Sequence, residues 1–393
     1  MRGTIETITQ DLPRSADIVI IGGGVMGAST LYHLAARGQK NVLLLEKERF
    51  FGQGATGRCA GGVRYQFATE INIRLSLESL PMLERFRDEI GQEIHYRQCG
   101  YLFVLTREQD VEAFRRNVAL QHRLGVQTEW LSGEEVRRRL PLMRFEDALA
   151  GTFYQKDGLV DPNSVVMGYI QAAQRLGAKA LTETEVRGLL VEHGRIKGVE
   201  TSQGRIATPV VVNAAGPWAA VIGKMAGVEI PITPLRRQWF TTTPLPEIPA
   251  DFPFVIDFAQ SLYFHREGEG LLIGMSNPNE QPGFNQNVDE AFELINMEAA
   301  LARLPLLEKA GRASHVAGLY EVTPDAHPIL GKTPLEGFYI VAGFSGHGFM
   351  HGPIAGKLMS ELLLDGAYRT VDVSMLDLAR FAEGRLIREY NVV

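Results

Sequence analysis

Three glycines, Gly22, Gly24 and Gly27, stand between an apolar run ending at Ile21 and a stretch with helical spacing, and they limit this chain more than any other feature. Residues 17–21 read as a buried strand, residues 22–24 as a turn, and Val25 to Arg37 as a helix stopped by Gly38. A second apolar run, residues 41–45, ends at Glu46. Strand, turn, helix and strand in that order form a parallel βαβ unit. The first glycine permits the tight turn, the second lets backbone approach a pyrophosphate, and the third lets helix and strand pack closely. The helix N-terminus then faces the phosphates with unpaired N–H groups and its positive dipole end, worth roughly 0.3–1 kcal/mol per charge at an exposed site. Glu46 offers an acceptor to ribose hydroxyls. A dinucleotide site follows, although the motif alone does not separate FAD from NAD.

A chain of 393 residues with 45% hydrophobic content can bury a sizeable core, and its length suggests two domains. Its 46 acidic and 40 basic side chains give a net charge of −6, which opposes nonspecific nucleic-acid binding and favours a small-molecule partner. Cys59 and Cys99 are too few for a disulfide framework and lack metal-site spacing, which reads as a reducing, cytoplasmic setting with no metal. The first sixteen residues include Glu6 and Asp11 and hold no apolar run before a cleavage site, so no secretory leader is expected. No run of about eighteen apolar residues predicts a transmembrane helix.

Further along, Val104 to Leu149 reads as mostly charged helix, and Thr233 to Ser276 as short strands broken by Pro244, Pro246, Pro249 and Pro253. Between them, Val165 to Leu176 reads as a helix, Val186 to Glu200 as a strand pair turning at His193-Gly194, and Pro209 to Asn213 as another buried strand.

Three further segments carry a resemblance. They are Gly54-Ala-Thr-Gly-Arg-Cys-Ala-Gly-Gly-Val-Arg64, Val210-Val-Val-Asn-Ala-Ala-Gly216-Pro-Trp218 and Ala342-Gly-Phe-Ser-Gly-His347-Gly-Phe-Met350-His-Gly-Pro. Over nearly its whole length the chain resembles the D-amino-acid oxidase superfamily, in particular sarcosine oxidases and the beta subunits of heteromeric sarcosine oxidase and L-proline dehydrogenase. The resemblance implies FAD as cofactor and a fold of mixed α/β and α+β class. A Rossmann-like, GR2-type FAD-binding domain would be assembled from residues 1–93, 150–225 and 320–393. Residues 94–149 and 226–319 would form a substrate domain on a mostly antiparallel sheet.

The same resemblance implies the cofactor contacts. Gly22, Gly24, Val25, Met26 and Gly27 belong to the turn and first helix, and Glu46 and Lys47 follow the second strand. Thr56, Arg58, Ala60, Gly61 and Gly62 lie on the loop beside the isoalloxazine, and Val186, Ala215, Gly216 and Trp218 on the return strands. Gly346, His347, Gly348, Phe349 and Met350 precede a helix expected to begin near Pro353, with its N–H groups toward the flavin pyrimidine.

Arg64 matches a substrate-binding arginine, whose planar fork suits a carboxylate; the residues alone also allow a surface ion pair. Tyr320, in Gly318-Leu-Tyr-Glu-Val-Thr-Pro-Asp325, matches a tyrosine of the substrate pocket, with a core tyrosine as the competing reading. Strand alternation puts Tyr263 and His265 on one face, where His265 either tunes substrate protonation or is solvated.

Several relatives hold flavin covalently through a cysteine ahead of the matched tyrosine or through an N-terminal histidine. Here Gly318 stands near the first position and no histidine lies between Asn41 and Tyr65, so FAD is expected to be noncovalent. An oxygen-activating lysine is matched by Leu272, which tilts the reading toward a dehydrogenase that passes electrons to a carrier protein or quinone, with an oxidase that uses oxygen as the alternative. A second lysine is matched by Met350, as in L-proline dehydrogenase-like members. The implied reaction is oxidation of a secondary or N-methyl amino acid to an imine. A D-amino acid or 2-hydroxy acid substrate, and an FAD-bearing subunit that needs a partner chain, stand as alternatives.

Overall fold

The computed structural model describes residues 12–391; the reading of a missing secretory leader concerns residues that lie mostly outside this range. Ile18–Ile21 and Val42–Leu45 are buried at every position because the sheet they share is covered on both faces, which is why they read as continuous apolar runs. They pair in parallel on either side of the helix Val25–Ala36, and Val211–Asn213 pairs in parallel on the other flank of Ile18–Ile21. Lys179–Leu181 and Phe338–Ala342 extend this sheet in parallel, and Ile329–Lys332 closes it antiparallel, making six strands. A three-stranded antiparallel sheet, residues 186–207, contributes to the core on one side. Its first turn lies at His193-Gly194, both with positive φ (51° and 74°), as the expected hairpin requires.

The other face is covered by Val25–Ala36, Pro162–Arg175 and Gly348–Asp365. The first and last of these helices meet at backbone contact. A Cβ on Gly356 would lie 2.2 Å from Ser29 Oγ and 2.5 Å from the Thr30 amide nitrogen. Gly348–Asp365 starts five residues before the expected Pro353. Pro353 has no N–H to give and would ordinarily disturb the helix. Ser79 from a neighbouring helix inserts at this point: its hydroxyl donates to the Met350 carbonyl at 2.7 Å and accepts from the Ile354 amide at 3.4 Å.

A second sheet of eight strands is antiparallel except where Phe254–Asp257 runs parallel to Tyr101–Leu105. Its long strands Thr233–Thr242 and Arg312–Val322 pair over nearly their full length. The division expected at residue 150 falls just before a strand of this sheet, because Ala150–Tyr154 pairs with Tyr101–Leu105 and Glu129–Ser132. The region expected to be mostly helical holds the strand Glu129–Ser132 between Glu108–Arg123 and Gly133–Arg139. Among the described residues, no helix is long and apolar enough to cross a membrane, and no cluster of His, Cys, Asp or Glu has metal-site geometry.

Candidate active site

The carboxyl ends of the parallel strands and one face of the larger sheet enclose a cleft with an empty volume, open mouth included, of about 2300 Å³. Ligands of open α/β sheets sit at this end. Every residue expected at the cofactor lines the cleft except Gly27. Gly27 serves packing: a Cβ there would lie 1.9 Å from the Gly22 carbonyl oxygen, so only glycine lets the helix approach its strand.

At the glycine turn, Gly24 caps the helix without a side chain, and the hydroxyl of Thr56 accepts from the Val25 amide at 3.2 Å. Glu46 accepts from the Gly23 amide at 2.7 Å through Oε2 and from the Glu48 amide at 2.8 Å through Oε1. Burial raises its pKa, with the two amide bonds opposing that shift. Each carboxylate oxygen keeps a lone pair for a further donor. Lys47 Nζ sits 3.6 Å from the Trp218 ring centroid, and Phe284 stacks on Trp218 at 5.5 Å.

The face of the larger sheet that turns to the cleft carries Tyr263, opposite Gly274 and Trp239 in register, and Tyr320 two residues beyond Gly318. Tyr320 packs against the turn ahead of the last helix, where a Cβ on Gly346 would meet its ring at 2.3 Å. Arg58 clamps the loop of residues 54–64 to this sheet, donating to the Ala317 carbonyl at 2.7 Å and the Gln53 carbonyl at 3.3 Å.

Arg64 is buried, which removes the reading of a surface ion pair. Its guanidinium donates to the Gln66 and Asn391 carbonyls and lies 4.2 Å from the Phe67 ring centroid. Two of its five N–H groups are used in this way, and the side chain lines the cleft. Behind it, Asp157 accepts from the Tyr65 amide at 2.7 Å and from Gln66 Nε2 at 2.8 Å. Desolvation pushes the Asp157 carboxyl up to about 7. His347 is buried on the cleft wall, with ring centroids of His351 and Phe67 at 5.3 Å and 5.4 Å. Desolvation first, then His351, His327 and Arg64, hold its pKa well below the ordinary value.

His265 falls outside the cleft. It shares a sheet face with Tyr263, but it stands opposite Leu272, at 1% exposure, with Phe254 at a ring distance of 5.0 Å and its Nδ1 against the Arg266 carbonyl at 3.1 Å. It neither faces solvent nor reaches the cleft, and desolvation lowers its pKa to about 4.

Two residues on the wall had not been singled out from sequence. Glu321 is buried, with Oε1 accepting from the Phe344 amide at 3.3 Å and Oε2 unpaired, and desolvation pushes its carboxyl up to about 7. Arg237 reaches the cleft opposite Gly318. Strict alternation along residues 233–242 puts 235, 237 and 239 on one face, a signal that was present once the strand was recognised.

The whole arrangement fits a dinucleotide flavin: a glycine turn with no room for side chains, a helix start without a capping side chain, an acid at the ribose end and an aromatic wall beyond. Comparisons agree with this geometry. The chain is 32% identical to human (Homo sapiens) mitochondrial sarcosine dehydrogenase over 95% of its length and 31% identical to rat (Rattus norvegicus) mitochondrial dimethylglycine dehydrogenase over 89%. It spans less than half of those relatives, 42% and 43%. The crystal structure of L-proline dehydrogenase from P. horikoshii superposes with a TM-score of 0.89 at 35% identity, covering 96% of this chain and all of that one. Residues 17–362 match the family described as DAO, FAD dependent oxidoreductase, and the chain belongs to that family of FAD-dependent enzymes.

Proposed function

We propose that this chain oxidises the C–N bond of a secondary or N-methyl amino acid, of sarcosine or proline type, to an imine that water then hydrolyses. The observation that carries this reading is Arg64, a buried fork with unused N–H groups on the wall of the cleft. It is suited to hold the substrate carboxylate and so to fix the neighbouring carbon. FAD, when bound, supplies the acceptor for the hydride that leaves this carbon, at flavin N5. The nitrogen must give up its extra proton before the bond is oxidised, and a dry wall lined by Tyr320, Tyr263 and neutral His347 favours the uncharged amine. The relatives support the class, since sarcosine, dimethylglycine and proline are all N-substituted amino acids.

Noncovalent FAD is supported by Gly318, which offers no thiol and whose Cβ would lie 2.9 Å from Arg58 Cβ. The acceptor is a separate matter. Leu272 brings no cation to the cleft, but Arg237 does, so the absence of a fixed charge no longer favours a carrier over oxygen. The test is anaerobic titration of the FAD-loaded protein with sarcosine, L-proline, dimethylglycine, D-alanine and glycolate, followed by air. Bleaching of the flavin by an N-substituted amino acid is expected, and the speed of recovery in air distinguishes oxygen from another acceptor. Bleaching by D-alanine or glycolate alone would replace the proposed reaction.

A further inference from the structure

Arg236 and Arg237 are neighbours on one strand and point to opposite faces, and only one of them has its charge matched. Arg236 pairs with Glu280 at 3.1 Å and Asp289 at 3.3 Å. Arg237 turns to the cleft, 5.1 Å from the Tyr320 ring centroid. Its Nη1 donates to the Arg236 carbonyl at 3.0 Å, its Nε is buried without a partner, and no carboxylate among the described residues stands at ion-pair distance. Gly318 stands opposite it in register, and the space above that glycine is filled by Arg58, whose Cβ lies 2.9 Å from where a Gly318 Cβ would be.

The other charges of the cleft make the contrast sharper. Glu46, Glu48 and Glu185 stand at the glycine-turn end, where Glu46 bonds to the Gly23 and Glu48 amides. Arg58 and Arg64 each donate to two backbone carbonyls. Arg237 is the arginine of this wall with the largest unused donor capacity, and Tyr320 lies within electrostatic reach of both it and Arg64. A half-buried guanidinium without a counter-charge is stabilised by an anion, and its planar fork suits a carboxylate.

We infer that Arg237 holds a second carboxylate of the substrate, so that the amine oxidised here is an N-substituted amino dicarboxylic acid with one acid on Arg64 and the other on Arg237. The inference rests on the amino-acid reading of the cleft given above. It goes beyond that reading by naming a substrate with two acids.

The test uses the FAD-loaded protein in two measurements. Propionate and succinate, which are redox-inert, are titrated while perturbation of the flavin absorbance gives their Kd values. N-methyl-L-aspartate and N-methyl-L-glutamate are then compared with sarcosine and L-proline for anaerobic bleaching. Succinate is expected to bind more tightly than propionate, and an N-methyl dicarboxylate to bleach at lower concentration than sarcosine. Arg237→Met removes the preference, raising the Kd of succinate about 10- to 100-fold, the loss of one charge-assisted pair, while leaving propionate nearly unchanged. Arg237→Gln is the second variant if Arg237→Met fails to retain FAD. Equal binding of the two acids by the native protein would overturn the inference, as would equal weakening of both by the variants. A shift in flavin midpoint potential on substitution with the succinate preference intact would also overturn it, assigning Arg237 to the ring. If succinate outbinds propionate but no amine bleaches the flavin, the oxidation reading fails while the anion site stands.

Discussion

Arg64 is held in place by groups that no substrate disturbs. Its guanidinium is tied to the Gln66 and Asn391 carbonyls and rests on Phe67, while Asp157 anchors the backbone of the next residue. A lysine in its place keeps a charge but not the planar fork. Arg64→Lys is therefore expected to raise KM for the oxidised amino acid roughly 10- to 100-fold, with a smaller fall in kcat, because one charged hydrogen bond is worth about 1.5–3 kcal/mol. Steady-state kinetics that showed kcat falling with KM unchanged would remove Arg64 from carboxylate binding. At this scale many of the residues placed on the cleft belong to glycine-rich loops, whose backbone constraints are local and so visible in sequence, while Tyr263, Tyr320 and Val186 were placed from strand segments. Arg237 and Glu321 were missed because their meaning depends on which strand lies opposite and which loop returns beside them. The alternation that grouped His265 with Tyr263 was correct, but strand period says nothing about where a cleft ends.

The contact between Val25–Ala36 and Gly348–Asp365 sets the position of two helix starts that both face the cleft. Gly352 and Gly356 allow it: a Cβ on Gly352 would lie 2.5 Å from a Val25 methyl group, and one on Gly356 would strike Ser29 and the Thr30 backbone. Backbone does not yield as a flexible side chain does, so Gly356→Ala forces the helices apart. We expect a loss of about 1–3 kcal/mol in urea unfolding, the range for overpacking, together with weaker FAD binding measured by recovery of free flavin fluorescence. Unchanged FAD affinity alongside reduced stability would separate helix spacing from cofactor geometry. The early start of the last helix was not legible from its own sequence. Pro353 reads as a boundary, and the Ser79 hydroxyl that bridges the interrupted ladder comes from a segment far away in the chain.

At the scale of the whole molecule, several titratable groups are buried in their neutral forms, and these groups shape its response to pH. Desolvation lowers His33 and His351 to about 3 and His265 to about 4, and holds His347 well below the ordinary 6.5. It raises Asp157 and Glu321 to about 7 from 3.8 and 4.5. The histidines, depressed on folding, contribute stability that is present above pH 6.5 and is lost as pH falls toward their folded values, because the unfolded chain takes up the protons first. The two raised carboxyls act in the opposite sense: their stabilisation is full below about pH 4 and is lost as pH rises through 7. Between about pH 4.5 and 6.5 the three histidines lowered to about 3 or 4 therefore outweigh the two acids, and these five groups make stability decline on acidification by about 1.4 kcal/mol per pH unit, with His347 acting in the same direction. Below about pH 4.5 the acids no longer compensate, and the decline steepens until the histidines of the folded state begin to protonate. Urea midpoints taken at half-unit intervals from pH 7 to 4 measure this curve. His33→Leu, which removes one half-buried imidazole on the helix Val25–Ala36, should flatten it by about one proton, or about 1.4 kcal/mol per pH unit. A variant curve parallel to that of the native protein would show that His33 does not enter the fold in its neutral form at the cost assigned to its burial.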